Sequence, residues 1–119
     1  MNIIGFDDYW ALNFAPEKVM NNYDQNKANL LLCHNPDVCD LDVWNGYKGW
    51  ILFGHRHEGL CKPPFLNAPM LLVKNKRYSQ GEIDLNDGRT LYVNRAVGHL
   101  WQVRFNVRPE ITIFELEKA

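Results

Sequence analysis

Histidine is the residue type in this sequence that is best suited to chemistry, and three of its four copies follow apolar runs. His34 directly follows the mainly apolar run 28–33. His55 and His57 come after the apolar run 50–53, with Gly54 between the run and His55. Imidazole is the commonest metal ligand in proteins, and residues two apart share one face of an extended chain. His34, His55 and His57 are therefore predicted metal ligands, with surface or capping roles as the alternative.

Five blocks of the chain form an ordered set. CHNPD stands at 33–37, GHRHEG at 54–59, RYSQG at 77–81, LYVNRAVG at 91–98 and RFNVRPEI at 104–111. This set resembles a bacterial branch of the calcineurin-like metallophosphoesterases, whose members typically read SHNPD, GHTHGGQ, YSxG, LYVSRGLG and RFNxRPEI. The segment IGFDDYW at 4–10 is similar to the GxDD segment of that branch. The resemblance spans nearly all 119 residues, in the right order.

The resemblance implies a metal centre of which this chain holds the later part. The family builds a two-metal site from Asp-x-His, Gly-Asp-x-x-Asp and Gly-Asn-His motifs, a later His and a Gly-His-x-His. The first three motifs do not occur in this sequence, so the chain resembles the C-terminal half of such an enzyme. By the same resemblance, His34 and His55 would bind one divalent ion and His57 the other, with Mn, Fe, Zn or Mg as the metal. The family's leaving-group histidine has no counterpart here, so no catalytic residue is assigned.

The charge of these ligands limits what the chain does by itself. Three neutral imidazoles do not offset the charge of two dications held close together. We therefore expect the C-terminal part of a phosphoesterase that hydrolyses phosphomonoesters or phosphodiesters through a two-metal site, inactive or nearly so when alone. One alternative is a non-catalytic truncated module that oligomerises or binds a single ion. Another is a zinc hydrolase with three histidine ligands on one ion.

Three further side chains are predicted to contact the phosphoester, either a small molecule or a lipid-type substrate. Arg56 lies between the paired histidines, where it would meet a phosphate or point to solvent. Arg95 offers a fork of donors that suits phosphate, with an ion pair to Glu110 or Asp84 as the alternative. By the resemblance His99 would line the substrate cleft, and the alternative is a surface histidine.

Composition narrows the classes of partner. The net charge of −1 gives no reason to expect nucleic acid. No apolar run approaches the roughly 18–20 residues that span a bilayer, and no signal peptide is visible. The three cysteines have no Cys-x-x-Cys spacing and suit a reducing compartment. We expect a bacterial protein of the cytoplasm or the membrane periphery.

The elements that must position the histidines alternate strand, helix and strand. This order predicts an α/β fold, the C-terminal half of a metallophosphoesterase-type β-sandwich flanked by helices, as one unit over 1–119. Strands are predicted at 2–6, 28–33, 49–53 and 111–117, helices at 16–20 and 37–44, and a hairpin joining 81–85 to 90–94. Asn35 either caps the second helix or orients His34. Half a sandwich leaves an apolar face uncovered, so a homodimer is expected in which each copy covers the other.

Overall fold

A computed structural model describes residues 1–54, 78, 80–95 and 108–117. Its elements are β1 (Asn2–Gly5), α1 (Pro16–Met20), β2 (Asn29–Cys33), a 3-10 helix (Pro36–Asp40), β3 (Gly49–Phe53), β4 (Gly81–Asp84) and β5 (Arg89–Val93). A mixed five-stranded sheet with short helices confirms the α/β class. Within the described ranges, no helix reaches the length and apolar character needed to cross a membrane.

The strand order of the sheet is β1-β2-β3-β5-β4. The first four strands in that order run parallel, and only β4 pairs antiparallel, with β5. The carboxyl ends of β1, β2, β3 and β5 therefore meet at one edge of the sheet. In open parallel sheets this edge is where ligands bind.

The inner face of the sheet forms the centre of the core. Ile4, Leu31, Ile51 and Leu91 are register partners across four neighbouring strands, and each is at most 5% exposed. Alternate residues of a strand point to opposite faces, so this row turns one face of every strand inward. Tyr47, from the loop before β3, packs into the same core and donates from its hydroxyl to the carbonyl of Trp50 over 2.7 Å.

The outer face of the sheet is also apolar but is only partly covered by the described residues. Ile3, Leu32 and Trp50 alternate with the inward row and are 62%, 40% and 40% exposed. The ring of Phe114 packs edge-on against Trp50 and Tyr92, with centroids 6.3 and 5.0 Å apart. The segment 108–117 therefore covers the β3–β5 side, while the other described residues leave the β1–β2 side open.

Most predicted elements are present, and two predictions need correction. The first helix and the hairpin are confirmed, with Gly88 at a φ of +93° in the turn, a conformation that favours glycine. In place of the predicted helix at 37–44 the structure has a five-residue 3-10 helix, Pro36–Asp40, which ends there because Leu41 is already extended. The predicted strand at 111–117 has no strand assignment. Its Thr112 and Phe114 contact the outer face through side chains, so the segment lies against the sheet instead of joining it.

Candidate metal and substrate site

Three neighbouring strands each deliver one residue to the carboxyl edge, directly after the strand ends. Cys33, Phe53 and Val93 are register partners across β2, β3 and β5. The next residues are His34, Gly54 and Asn94. The amide of Gly54 donates to the carbonyl of Cys33 over 3.4 Å, and that of Asn94 donates to the carbonyl of Phe53 over 3.0 Å. The ladder thus continues one step past the strands and keeps these three positions side by side.

The start of the Gly-His-x-His motif lies directly beside His34. A Cβ placed on Gly54 would lie 3.9 Å from Nδ1 of His34, which is ordinary van der Waals contact. His34 is exposed, so its imidazole is accessible to a ligand. The other predicted site residues His55, Arg56, His57 and His99 lie outside the described residues.

Asn35 fixes the chain immediately after His34. Its Oδ1 accepts from the amide of Asp37 over 2.9 Å, and the residue is fully buried. This is the capping arrangement, one of the two roles open from the sequence. Its Nδ2 has no hydrogen-bond partner among the residues that the structure describes. The cap holds His34 between the end of β2 and the start of the 3-10 helix.

An open cleft of about 450 Å³ lies over this edge. Its polar lining includes His34, Asn94 and Thr112, and its apolar lining includes Leu32, Leu52 and Phe114. Nδ2 of Asn94 donates to Oγ1 of Thr112 over 3.1 Å, which ties the segment 108–117 to the end of β5. Sequence reasoning did not assign Asn94 and Thr112 to the cleft. One available signal was that Asn94 follows an apolar run, as His34 does.

Arg95 is held by a carboxylate at the rim of this edge. Its Nε donates to Oε2 of Glu110 over 2.5 Å, so the ion pair named as an alternative is present. The hydroxyl of Tyr92 donates to Oε1 of Glu110, and Oγ1 of Thr112 donates to the same oxygen over 2.7 Å. The Tyr92 hydrogen bond is the main cause that lowers the pKa of Glu110, with Thr112 and Arg95 adding to it. The same bond raises the pKa of Tyr92.

Cys33 lines the cleft but is poorly suited to bind a metal. The thiol is 6% exposed, and burial raises its pKa to about 12. Without a metal ion, this side chain is therefore a protonated core residue at neutral pH. Within 1–54, 78, 80–95 and 108–117, no three His, Cys, Asp or Glu side chains are grouped to hold an ion.

Comparison with known proteins extends over almost the whole chain. It is 33% identical to the phosphodiesterase YaeI of Escherichia coli K12, over 96% of this chain and 40% of YaeI. It is also 33% identical to the UDP-2,3-diacylglucosamine pyrophosphatase LpxG of Chlamydia muridarum, over 95% of this chain and 36% of LpxG. The metallophosphoesterase YkuE of Bacillus subtilis is 29% identical over 100% of this chain and 41% of YkuE.

The chain spans about two fifths of the length of these curated relatives. No protein-family model matches it, and no solved structure shows significant similarity.

Proposed function

This chain belongs to the metallophosphoesterase superfamily, and on that premise we propose that it forms the C-terminal part of a metal-dependent phosphoesterase. Its substrate would be a phosphomonoester or phosphodiester. Among its relatives, one is a phosphodiesterase and another a UDP-2,3-diacylglucosamine pyrophosphatase. The second name favours a lipid-type substrate for this chain.

One observation supports the proposal more than any other. Parallel register places His34 beside Gly54, the residue that begins Gly-His-x-His. The two metal motifs are 20 positions apart in the sequence, and only the β2–β3 ladder brings their starting points together. A site that used both motifs would need this arrangement.

The donor set fits part of a metal centre. We propose His34 and His55 as ligands of one divalent ion and His57 as a ligand of a second, with Mn, Fe, Zn or Mg as the metal. When bound, paired ions of this kind polarise a phosphoryl group and supply hydroxide near neutral pH. The remaining ligands, carboxylates above all, would come from the part of the relatives that this chain does not span.

In substrate binding, Glu110 would act indirectly, by holding Arg95 in place. The carboxylate holds the Arg95 guanidinium one residue beyond Asn94 of the cleft. We propose that Arg95, in this fixed position, binds substrate phosphate together with Arg56 and His99. Asn94 would contact the substrate from the cleft wall, with Thr112 accepting a hydrogen bond from its Nδ2.

Metal binding by the chain is tested by calorimetric titration with Zn²⁺ or Mn²⁺. We expect His34→Ala and His55→Ala to weaken binding at least tenfold. His99→Ala is the matched control, because it removes an imidazole that lies outside the proposed ligand set. Equal affinity in the wild-type protein and both ligand variants would refute the assignment.

Activity is tested in a chimera in which this chain replaces the matched 117 residues of YaeI. The chimera should hydrolyse bis(p-nitrophenyl) phosphate with Mn²⁺, and the chain alone should not. His55→Ala should abolish that hydrolysis. Activity that survives His55→Ala would remove the ligand assignment, and an inactive chimera that still folds would favour the non-catalytic module.

A homodimer is the second arrangement that a specific observation favours. The β1–β2 side of the outer face is open among the described residues, and a second copy would cover apolar surface there. For the isolated chain this homodimer stays a prediction. Sedimentation at several concentrations tests it, and a monomer throughout would refute it.

A further inference from the structure

The ladder that aligns the proposed metal site continues onto β1. Gly5 is the register partner of Leu32, and the amide of Phe6 donates to the carbonyl of Leu32 over 2.9 Å. This hydrogen bond follows the pattern of a parallel pair and keeps the two strands in register one step past the end of β1. Two residues beyond the Gly5 pair, Asp7 therefore stands opposite His34.

The positions just past the strands thus form a row of four residues, Asp7, His34, Gly54 and Asn94. Register partners lie on the same face of a sheet, and neighbouring strands are about 4.8 Å apart. Asp7 is exposed, and its Oδ1 accepts from the amide of Asp8 over 2.8 Å. The lining of the cleft includes the other three members of the row but not Asp7, so this carboxylate lies beside the cleft.

Asp7 gives this row a negative charge that the described residues leave unpaired. At the β5 end, the Arg95 guanidinium and the Glu110 carboxylate offset each other. No ion pair of Asp7 is present within the described ranges. The chain turns away from the row at Asp8, whose Oδ1 accepts from the amide of Trp10 over 3.1 Å.

We infer that the Asp7 carboxylate strengthens divalent-cation binding at His34 through its charge, from beside the cleft and without coordinating the ion. The inference rests on the proposed function in taking His34 as a metal ligand. Charges one or two strand spacings apart are separated by roughly 5–10 Å. In water at low salt, a unit charge at that separation from a dication changes its affinity about three- to fivefold, and salt screens most of the effect.

Calorimetric titration of this chain with Zn²⁺ tests the inference. Asp7→Asn keeps an acceptor for the amide of Asp8 and removes the charge. It should weaken Zn²⁺ binding about three- to fivefold in about 20 mM NaCl, and less than about twofold in about 500 mM NaCl. The salt dependence is the decisive readout, because a lost ligand or a damaged fold would weaken binding at both salt concentrations.

Asp84→Asn is the matched control. Asp84 is also exposed, and its Oδ1 accepts from the amide of Asn86, so both substitutions remove one charge and keep one acceptor. Its register partner is Thr90, four residues before Asn94, which places Asp84 about 13 Å along the strands from the row. Asp84→Asn should change the Zn²⁺ affinity less than about 1.5-fold at either salt concentration.

Three results would overturn the inference. Unchanged affinity in Asp7→Asn would show that the carboxylate does not act on the ion. Equal weakening by Asp7→Asn and Asp84→Asn would show an effect of net charge alone. A loss in Asp7→Asn that is as large at high salt as at low salt would make Asp7 a direct ligand or a structural residue.

His34→Ala separates this inference from the proposed function. If His34→Ala weakens Zn²⁺ binding at least tenfold while Asp7→Asn has no effect, only the role of Asp7 is refuted. If His34→Ala leaves the affinity unchanged, the proposed ligand set is refuted and the role of Asp7 with it.

Discussion

Replacing Glu110 with glutamine tests whether the rim of the cleft is held by charge. In the wild-type protein one carboxylate oxygen accepts from Tyr92 and Thr112, and the other pairs with Arg95 Nε over 2.5 Å. Glutamine has nearly the same shape and keeps an acceptor for Tyr92. Its Nε2 would then face the Nε of Arg95, so that two donors meet where an ion pair stood.

The expected loss is modest because part of the pair is in water. The Arg95 side chain is 39% exposed and that of Glu110 is 16% exposed. Exposed ion pairs contribute about 0–1 kcal/mol, while hydrogen bonds to a sheltered charge contribute about 1.5–3 kcal/mol. Between these limits, we expect Glu110→Gln to lower the free energy of unfolding by about 1–2 kcal/mol at pH 7.

The pH dependence gives a second, sharper expectation. Because the fold lowers the pKa of Glu110, its contribution is complete above the ordinary value of 4.5 and is lost as the pH falls through the folded-state value. The glutamine variant lacks this titration. The difference in unfolding free energy between the two proteins should therefore be constant from pH 7 to about pH 5. It should then decrease as the pH falls below 4.5.

Urea unfolding followed by tryptophan fluorescence measures this difference, since Trp50 packs against Phe114 of the same segment. Glu115→Gln is the control, an exposed carboxylate five residues along the chain from Glu110. If the two proteins have equal unfolding free energies at pH 7, or if their difference persists unchanged to pH 3, the ion pair of Glu110 does not stabilise the rim. A loss of equal size in Glu115→Gln would show a general effect of net charge.

Two further predictions concern the core beneath the site. Leu91 lies on β5, between β3 and β4, and is fully buried. Leu91→Ala should therefore lower the free energy of unfolding by about 3–5 kcal/mol in the same urea titration. A loss under about 1 kcal/mol would contradict this burial. Burial raises the pKa of Cys33 to about 12 and also raises the pKa of Cys39. Iodoacetamide at pH 8 should therefore label these two thiols only in denaturant, which peptide mass mapping measures. Rapid labelling of the native protein would contradict their burial.

The sequence was sufficient for elements that depend on short-range patterns. The runs ending at Cys33 and Phe53 are each apolar over their last four residues, and the Asp-Gly of the hairpin turn places a glycine at a positive φ. These signals lie within a few residues of the structure they specify. The strands and the hairpin were therefore predictable.

Long-range pairing decided the rest. The alternation at 111–117 has the period of a strand, but Thr112 and Phe114 find their partners on the outer face of β5 and β3. Likewise Arg95 had two acidic partners to choose from in the sequence, and only the position of the segment 108–117 selects Glu110. Such choices depend on where distant segments lie in space.

The site was predictable as a set of residue types but not as an arrangement. Nothing local in the sequence sets the parallel register that aligns His34 with Gly54 and Asn94. A shift of one residue would turn His34 to the opposite face of the sheet. The register is instead selected by the buried row of Leu31, Ile51 and Leu91, so core packing determines which polar residues meet at the edge.

The charges along the carboxyl edge indicate which ligands the proposed metal site must take from outside this chain. His34, Asn94 and Thr112 supply no negative charge, and the carboxylate of Glu110 is already paired with Arg95. A centre with two dications needs anionic ligands, and these must arrive from another segment. The YaeI chimera adds the rest of a relative's chain, so Mn²⁺ should bind the chimera more tightly than this chain alone, and equal affinities would refute the proposal that carboxylates from outside the chain complete the site.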